Sequence, residues 1–318
     1  MNSPDILCAG IIVADHLCMP IAHLPAAGEL VMADGMLLAI GGCAANAAVD
    51  LAKMGVRAAV VGRVGDDVFG RVVSDMLRDV DIDITYVKTT PKTDTSQTLI
   101  VNVQGQDRRF IHTFGANATF SASDLPREIL KPGMILYVGG YLAMPNLKRD
   151  ELAEVFAAAR KLGVKTVLDV VVPGQGKHLH QFENLLAQTD VFLPNHDEAE
   201  IITGVQDPLK QAEIFRELGA KTVVITMGGA GSIWVGDRVR LKAGVFSVPF
   251  VDGSGGGDAF DAGIMIGLLR DLPPEDCLRL GSALGASCVR AIGTTPGVFT
   301  RAECEDFLRA NVLKIETC

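Results

Sequence analysis

The chain has 318 residues, of which 48% are hydrophobic and 21% charged, and its formal net charge is −9. This composition excludes an intrinsically disordered chain, and the length suits one large α/β domain or two small ones. The acidic balance disfavours nucleic acid or an anionic membrane as a partner, but it leaves room for a phosphate ligand held by backbone amides and Mg²⁺.

The cysteines and the apolar runs indicate the compartment. Seven cysteines are scattered along the chain, and none of them forms a Cys-x-x-Cys pair. They are therefore expected to be reduced thiols. No apolar run approaches the roughly 20 residues that a membrane span needs, and the first residues do not resemble a secretion signal. We expect a soluble, cytoplasmic protein with no membrane partner.

Short β-branched runs alternate with helical patterns along most of the chain. The predicted strands are Ile6–Val13, Ala58–Val61, Met134–Val138, Thr166–Val170, Val191–Leu193, Val223–Thr226 and Ser232–Val235. The predicted helices are Ala44–Met54, Arg149–Leu162, Pro208–Leu218, Ala259–Leu269 and Glu275–Ala291. Because continuously apolar strands separated by helices favour a parallel sheet covered on both faces, the fold class is α/β. No linker divides the chain, so residues 1–318 are predicted to form a single domain.

Two stretches, about residues 15–40 and 93–114, are strand-like but contain no helix. The second alternates from Thr98 to Val103, reaches Gly105, and alternates again from Arg109 to Thr113, which predicts a β-hairpin. Two such segments suggest a small β lid that would exclude water from a reactive phosphoryl group. The alternative is that they are ordinary edge strands.

Two sites for a hydroxylated ligand precede the first helix. Asp15 follows the first predicted strand, at the end where open α/β sheets bind ligands, and its carboxylate suits two neighbouring sugar hydroxyls. Gly41 and Gly42 permit close approach of the backbone, and Asn46 offers an amide donor and acceptor on the following helix. Each motif alone also fits a surface acid or an ordinary helix start.

Two later turns suit a nucleotide. Asn195 and Glu198 follow a buried strand and are three residues apart, so both can face one side of a new helix. An amide there suits a phosphate, and a carboxylate suits Mg²⁺ held through water. Thr226, Gly228 and Gly231 follow another apolar strand and form a flexible turn. A helix cap and a common β-turn are the alternative explanations.

The most informative segment is Asp252-Gly253-Ser254-Gly255-Gly256-Gly257-Asp258, between a β-like run from Val245 to Val251 and a helical run from Ala259. Its glycines allow a tight turn that brings several N–H groups near one anion at a helix N-terminus. Asp258 places a carboxylate beside them. An anion cradle next to a base suits phosphoryl transfer to a hydroxyl, whereas the simpler interpretation is a glycine-rich turn with an acidic cap.

In this order, the motifs resemble the ribokinase, or PfkB, family of carbohydrate kinases over nearly the whole chain. The landmarks are Gly41-Gly42 with Asn46, the run Gly62 to Gly70, Asn195 with Glu198, Thr226-x-Gly228-x-x-Gly231, and the loop ending at Asp258, which is similar to Asp-Thr-x-Gly-Ala-Gly-Asp. The resemblance implies a ribokinase-like three-layer sandwich with a mostly parallel central sheet and a small β lid.

The resemblance also implies an ATP-dependent sugar kinase that phosphorylates a hydroxyl of an unphosphorylated sugar or sugar acid. Asp258 would be the base, and the amides of Gly255, Gly256, Gly257 and Asp258 would form the anion hole. The implied ATP-binding residues are Asn195, Thr226, Gly228, Gly231 and Ser282, and Glu198 would help to hold Mg²⁺ through water. The implied sugar-binding residues are Asp15, Gly41, Gly42, Asn46 and, on the lid hairpin, Arg109.

The sequence differs from the family's usual residues in the loop and near the adenine, and the family resemblance also implies a cation and a dimer. Gly253 and Gly256 replace the usual Thr and Ala of the loop, which makes it looser without removing a catalytic group. Ser282 stands where relatives often carry an Asn near the adenine. The family often holds a monovalent cation, such as K⁺, for which Asp252 is the candidate ligand. It also suggests a homodimer closed through the lid strands.

Two other functions stay open at this point. A nucleoside kinase of the same fold would need an apolar wall for the base, for which Phe110 and Phe114 are the candidates. A sugar- or nucleotide-binding regulator without catalysis would not need Asp258. A phosphosugar kinase is less favoured, because the lid segments contain no evident basic cluster for a substrate phosphate.

Overall fold

The computed structural model describes residues 3–106, 108–174, 176 and 178–318. Its strands are β1 Ile6–Gly10, β2 Val13–Ile21, β3 Met36–Gly41, β4 Ala58–Gly65, β5 Asp83–Thr90, β6 Gln97–Val103, β7 Arg109–Thr113, β8 Ile135–Tyr141, β9 Lys165–Val170, β10 Val191–Phe192, β11 Thr222–Thr226, β12 Ser232–Val235, β13 Arg240–Ala243 and β14 Ile315–Thr317. Its α-helices are α1 Cys43–Lys53, α2 Val68–Asp79, α3 Arg149–Lys161, α4 His196–Thr203, α5 Pro208–Glu217, α6 Gly256–Leu269, α7 Pro274–Cys288 and α8 Arg301–Ala310.

A ten-stranded sheet forms the centre of the molecule, in the order β14-β13-β12-β11-β10-β9-β8-β1-β4-β5. The pairings from β5 to β11 are parallel, and β12, β13 and β14 are added antiparallel at one end. One apolar core packs α1, α6 and α7 against one face, and a second packs α3 and α5 against the other. The predicted α/β class with a mostly parallel sheet between helical layers is therefore confirmed.

A second, small sheet has the strand order β3-β2-β6-β7. Its strands β6 and β7 form the predicted antiparallel hairpin, and β2 lies parallel to β6. The cross-strand register aligns Asp15 with Thr98 and Thr98 with His112, so these three side chains share one face of the sheet. We refer to this four-stranded unit as the small sheet. Its action as a lid remains a prediction.

Two predicted strands differ from the structure. The expected strand Ile6–Val13 is divided: β1 pairs with β8 as far as Gly10, while the chain from Val13 onward pairs with β3 in the small sheet. The expected strand from Val245 to Val251 is wrong, since residues 244–250 belong to no strand. Phe246 is buried against Phe307, with ring centroids 4.9 Å apart, and the segment instead forms part of a cavity wall.

None of the helices in the described ranges is both long and apolar enough to cross a bilayer. All seven cysteines have free thiols, and five of them are buried.

Candidate active site

The site centres on a contact between two helices that are distant in sequence. The side-chain amide Nδ2 of Asn46, on α1, donates to Oδ2 of Asp258, on α6, at 2.8 Å. Helices α1 and α6 pack side by side on the same face of the large sheet, which brings the two motifs together. The sequence-predicted sugar-binding residue Asn46 and the predicted base Asp258 therefore lie in one site.

The loop before α6 has the geometry of an anion cradle. Gly255 has φ +75°, and a Cβ at this position would lie 2.1 Å from the carbonyl oxygen of Thr294, so only glycine fits. Helix α6 begins at Gly256, and the first N–H groups of a helix have no acceptor within the helix. Those of Gly257 and Asp258 are thus placed to bind an anion beside the Asp258 carboxylate, and the N–H of Gly256 makes only a long contact of 3.4 Å with the carbonyl oxygen of Gly253.

Asp252 anchors the start of this loop. Its Oδ1 accepts hydrogen bonds from the backbone N–H of Ser254 at 3.0 Å and from the Ser254 hydroxyl at 2.9 Å. Its Oδ2 accepts from the N–H of Gly293 at 3.0 Å. The Cys288 thiol donates to the carbonyl oxygens of Ser254 and Thr294, at 3.2 and 3.0 Å. These bonds tie the cradle to the end of α7.

Asp15 lies on the small sheet and faces the same site. Its carboxylate presses against Gly41, where a Cβ would be 2.1 Å from Oδ2 of Asp15. The pKa of Asp15 is raised to about 7: burial is the largest cause, the Thr98 hydroxyl opposes the shift, and the negative charge of Asp258 adds to it. Thr98 in turn shares a hydrogen bond of 3.0 Å with Nδ1 of His112. Carboxylate, amide and hydroxyl groups here suit a ligand rich in hydroxyls.

Sequence reasoning missed a buried acid, Asp169, near the end of β9. Its Oδ2 accepts from the N–H of Gly140 at 2.9 Å, and its carboxylate, the Asp258 carboxylate and the Cys43 thiol place ligand atoms within 4.8 Å of one another. The pKa of Asp169 is raised to about 7, first by burial and then by the charge of Asp258. The same argument that selected Asp15, an acid at the carboxyl end of a predicted strand, would have found it.

Further acids share this electrostatic environment. Burial raises the pKa of Glu198, and the charges of Asp169 and Asp258 raise it further. Buried Asp261 accepts from the Tyr137 hydroxyl at 3.1 Å, and its pKa is raised first by burial and then by the same two acids. Several carboxylates that mutually disfavour ionisation form a suitable site for a divalent cation, which would neutralise them.

The pKa of Asp258 itself is raised by burial, while the hydrogen bond from Asn46 and the Cys43 thiol oppose the rise. The amide therefore favours the charged form of the carboxylate, which is the form that accepts a proton. Burial raises the pKa of the Cys43 thiol well above its usual value, which disfavours the thiolate form that a nucleophile needs.

Asp50 lies one helical turn beyond Asn46 on α1 and is completely buried. Both of its carboxylate oxygens, and also Oδ1 of Asn46, receive no hydrogen bond from any described group. Burial raises the pKa of Asp50 well above its usual range, Asp258 raises it further, and Lys53 opposes the rise. A carboxyl in this setting is expected to be neutral.

A cavity of about 1040 Å³ lies between the small sheet, the cradle and α7. Four of the five predicted ATP-binding residues line it, namely Thr226, Gly228, Gly231 and Ser282. The fifth, Asn195, is not among the lining residues but lies beside one of them, since it forms a parallel β-bridge with Thr226. Its Oδ1 caps α4 by accepting from the N–H of Glu198 at 2.9 Å, and the Glu198 carboxylate accepts from the N–H of Asn195 at 3.0 Å. The reciprocal cap fixes both side chains at the N-terminus of α4.

The structure brings Arg108, rather than Arg109, to this cavity. Arg109 is exposed on β7 and donates to Oε1 of Gln106 at 2.6 Å. Arg108 lines the cavity beside Gly253, and its guanidinium lies 5.5 Å from the centre of the Phe110 ring. Arg109 is not among the described residues that line this cavity, and its role as a sugar contact remains a prediction.

The run from Gly62 to Gly70 has a structural role beside the site. Asp67 caps α2 by accepting from the N–H of Gly70 at 2.7 Å, and it also accepts from the N–H and hydroxyl of Thr95 at 2.7 and 2.6 Å. Arg63 forms a bidentate pair with buried Asp124, with both distances 2.8 Å. These bonds fix the segment from which β6 enters the small sheet.

A family model described as pfkB family carbohydrate kinase matches residues 3–301. The chain belongs to the pfkB family of carbohydrate kinases. It is 30% identical over 309 residues to a ribokinase of Haemophilus influenzae, which covers 94% of this chain and 96% of the relative. It is 27% identical over 281 residues to a 2-dehydro-3-deoxygluconokinase of Bacillus subtilis, which covers 85% of this chain and 87% of the relative.

The fold of this pfkB-family chain agrees with solved structures. A ribokinase of Arabidopsis thaliana, solved with ribose and ATP, superposes with a TM-score of 0.80 and 24% identity, covering 96% of this chain and 98% of that one. The predicted ribokinase-like fold and the predicted family are both confirmed. The chain is an ATP-dependent sugar kinase.

Proposed function

We propose that this pfkB-family kinase transfers the γ-phosphoryl group of ATP to a hydroxyl of an unphosphorylated sugar or sugar acid, with Asp258 as the base. The contact of 2.8 Å between Asn46 and Asp258 carries this proposal. It joins the candidate sugar-binding helix to the carboxylate that follows the anion cradle, so a hydroxyl held by Asn46 would lie beside its proton acceptor.

In the proposed reaction, the substrate oxygen forms a bond to the γ-phosphorus, and the bond between that phosphorus and the β,γ-bridging oxygen breaks. The hydroxyl proton passes to Asp258, and ADP leaves with the bridging oxygen. The amides of Gly255, Gly256, Gly257 and Asp258 stabilise the charge on the transferring group, because they are fixed at the start of α6 before the reaction begins.

The groups around Asp15 favour substrate hydroxyls over a substrate phosphate. Asp15 and Asp258 interact electrostatically, and a substrate phosphate placed between them would be repelled by both when they are ionised. Asp15, Asn46 and Thr98 instead offer acceptors and donors for sugar hydroxyls. Phe110, one of the two candidates for a nucleoside-binding wall, is instead in contact with the guanidinium of Arg108.

The acids beside the cradle fit Mg²⁺, because it prefers oxygen ligands and would neutralise carboxylates whose pKa is raised first by burial and then by one another, as in Asp169 and Glu198. These two carboxylates would hold the ion, Glu198 through water. Bound Mg²⁺ supplies charge neutralisation for the phosphates. Cys43 is a soft ligand that does not suit this ion.

Further parts of the proposal concern K⁺, assembly and compartment. Asp252 accepts three hydrogen bonds from protein donors. A carboxylate has about four lone-pair positions, so Asp252 can still accept from a cation and is the candidate ligand for K⁺.

The free thiols agree with a reducing cytoplasm. The exposed apolar side chains of the small sheet support a homodimer formed through it.

An ATP-consumption screen tests the proposal. Purified protein with Mg²⁺ would be assayed against ribose, fructose, several sugar acids, sugar phosphates and nucleosides. We expect turnover with a neutral sugar or sugar acid, and a loss of about a hundredfold or more in kcat for Asp258→Asn, since the base is removed while its shape is retained.

The outcome that contradicts the base assignment is kcat retained within a few-fold in Asp258→Asn. Preferred turnover of nucleosides or of sugar phosphates would contradict the substrate class. Tight sugar binding by calorimetry, without turnover of any acceptor, would identify a regulator instead.

A further inference from the structure

The cavity between the small sheet and the cradle contains one basic side chain among its described lining residues, Arg108. Acids are abundant nearby: Asp252 lines the same cavity, and Asp258 follows the cradle glycines that line it. A nucleoside triphosphate carries several negative charges in a small volume, and an arginine is the side chain best suited to bind them. The position of Arg108 within the cavity determines which phosphate it can reach.

Arg108 reaches the cradle loop. A Cβ built on Gly253 would lie 2.4 Å from Nη1 of Arg108 and 3.2 Å from both Cζ and Nη2. The guanidinium therefore occupies the space that any side chain at position 253 would fill. Gly253 stands two residues before Gly255, where the turn into α6 is made.

The strand alternation explains why Arg108 turns inward. Phe110 and His112 share the face of the small sheet that carries Thr98 and Asp15, because alternate residues of a strand point to one side. Arg108 precedes β7 in the same alternation and lies 5.5 Å from the Phe110 ring, an attractive cation–π distance. Arg109 points to the opposite side.

The neighbours of Arg108 in the cavity belong to the nucleotide side. They include Thr226, Gly228 and Ser282, whereas Asp15, Gly41 and Asn46 of the sugar side are not among the lining residues. This placement favours a phosphate of the nucleotide over an anionic group of the sugar.

We propose that Arg108 binds the γ-phosphate of ATP from the β6–β7 hairpin, and that the absence of a side chain at Gly253 admits it. The proposal rests on the ATP-dependent reaction proposed above. It assigns to the small sheet a direct part in holding the group that is transferred, in addition to covering the site.

Isothermal titration calorimetry with two nucleotides tests it. The wild-type protein, Arg108→Ala and Arg109→Ala would each be titrated with AMP-PNP and with ADP in the presence of Mg²⁺. We expect Arg108→Ala to weaken AMP-PNP binding about ten- to a hundredfold, while ADP binding stays within about threefold. Arg109→Ala, which removes the same charge from the same hairpin, should leave both within about threefold.

Three results would overturn the proposal. Equal weakening of AMP-PNP and ADP in Arg108→Ala would place the contact away from the γ-phosphate. Unchanged binding of both, with a raised KM for a sugar acid, would assign Arg108 to the sugar. Wild-type protein that bound neither nucleotide would overturn both this proposal and the proposed function. The first two results would overturn only the assignment of Arg108, so the two proposals fail in different ways.

A double-mutant cycle tests the role of Gly253. Its φ is not in the positive region, so Gly253→Ala is compatible with the backbone, and the added methyl group would displace only the flexible end of Arg108. We expect Gly253→Ala to weaken AMP-PNP binding about tenfold in the wild-type background and less than about threefold in Arg108→Ala. Effects of equal size in both backgrounds would show that Gly253 acts independently of Arg108. They would overturn the inference that the absence of a side chain at Gly253 admits Arg108.

Discussion

Asp50 shows how a single buried side chain couples the site to the stability of the fold. Its raised pKa means that the native state retains a proton that the unfolded chain releases above the ordinary aspartate pKa of about 3.9. Stability from this group is therefore complete below that pH and is lost as the pH rises towards the native pKa. Asp50→Asn keeps the shape and removes the titration.

We predict that Asp50→Asn gains stability relative to wild type as the pH rises from 5.5 to 8.5. The relative gain is up to about 4 kcal/mol, or about 1.4 kcal/mol for each pH unit over which the native carboxyl stays protonated. Urea unfolding of both proteins at each pH measures it. Asp79→Asn, a change at an exposed acid on α2, is the control and should show no such trend. A constant difference between Asp50→Asn and wild type would mean that Asp50 is ionised in the native protein.

Residue identities alone predicted several of the side chains that the structure brings together around Asp258, but not all of them. Asp258 and Asn46 followed from motifs, and their contact agrees with the predicted arrangement. The hairpin residue predicted from the sequence is Arg109, whereas alternation from His112 and Phe110 places the neighbouring Arg108 on the inward face. Asp50 could not be recognised, because nothing in the sequence shows that this side of α1 is covered by α6.

At the scale of elements, the turn into α6 depends on one backbone conformation. Gly255 has a left-handed φ, and a Cβ there would overlap a backbone carbonyl that cannot rotate away. We predict that Gly255→Ala lowers the free energy of unfolding by about 2–4 kcal/mol, from left-handed strain together with overpacking, and that it also lowers kcat.

Gly257→Ala is the matched stability control for the same loop. A Cβ at Gly257 meets no atom within 4 Å, and alanine favours a helix by up to about 1 kcal/mol over glycine. Chemical denaturation should therefore show Gly257→Ala to be at least as stable as wild type. Equal destabilisation by the two substitutions would contradict the specific role of the Gly255 turn.

Strands were predictable from the sequence where an apolar run also has neighbouring strands to pair with in the folded sheet. Strands such as Thr166–Val170 were located within a residue, because parallel central strands are continuously apolar. Residues 245–251 have the same apolar, β-branched composition but no neighbouring strand to pair with, and they form a cavity wall instead. Pairing is a tertiary property that a local run does not contain.

At the scale of the whole molecule, the small sheet leaves two edge strands, β3 and β7, available for pairing or packing. Large apolar side chains are exposed on them, including Met36 at 68% and Ile111 at 67% of their accessible area. Such surfaces are usually covered in a working protein, because open edges and apolar patches promote association. A second copy of the chain is the partner that the proposed homodimer supplies.

We predict that wild-type protein is dimeric and that the double variant Met36→Glu and Ile111→Glu is monomeric, since two buried carboxylates in each subunit would lose their hydration at the interface. Light scattering after size-exclusion chromatography measures the mass. Val312→Glu is the control, because Val312 is 93% exposed but lies after α8, away from the small sheet. A wild-type monomer, or a double variant that stays dimeric, would exclude assembly through these strands.

The same double variant connects assembly to nucleotide binding. If it becomes monomeric and also binds AMP-PNP more weakly, then the dimer holds the β6–β7 hairpin, and Arg108 with it, over the nucleotide.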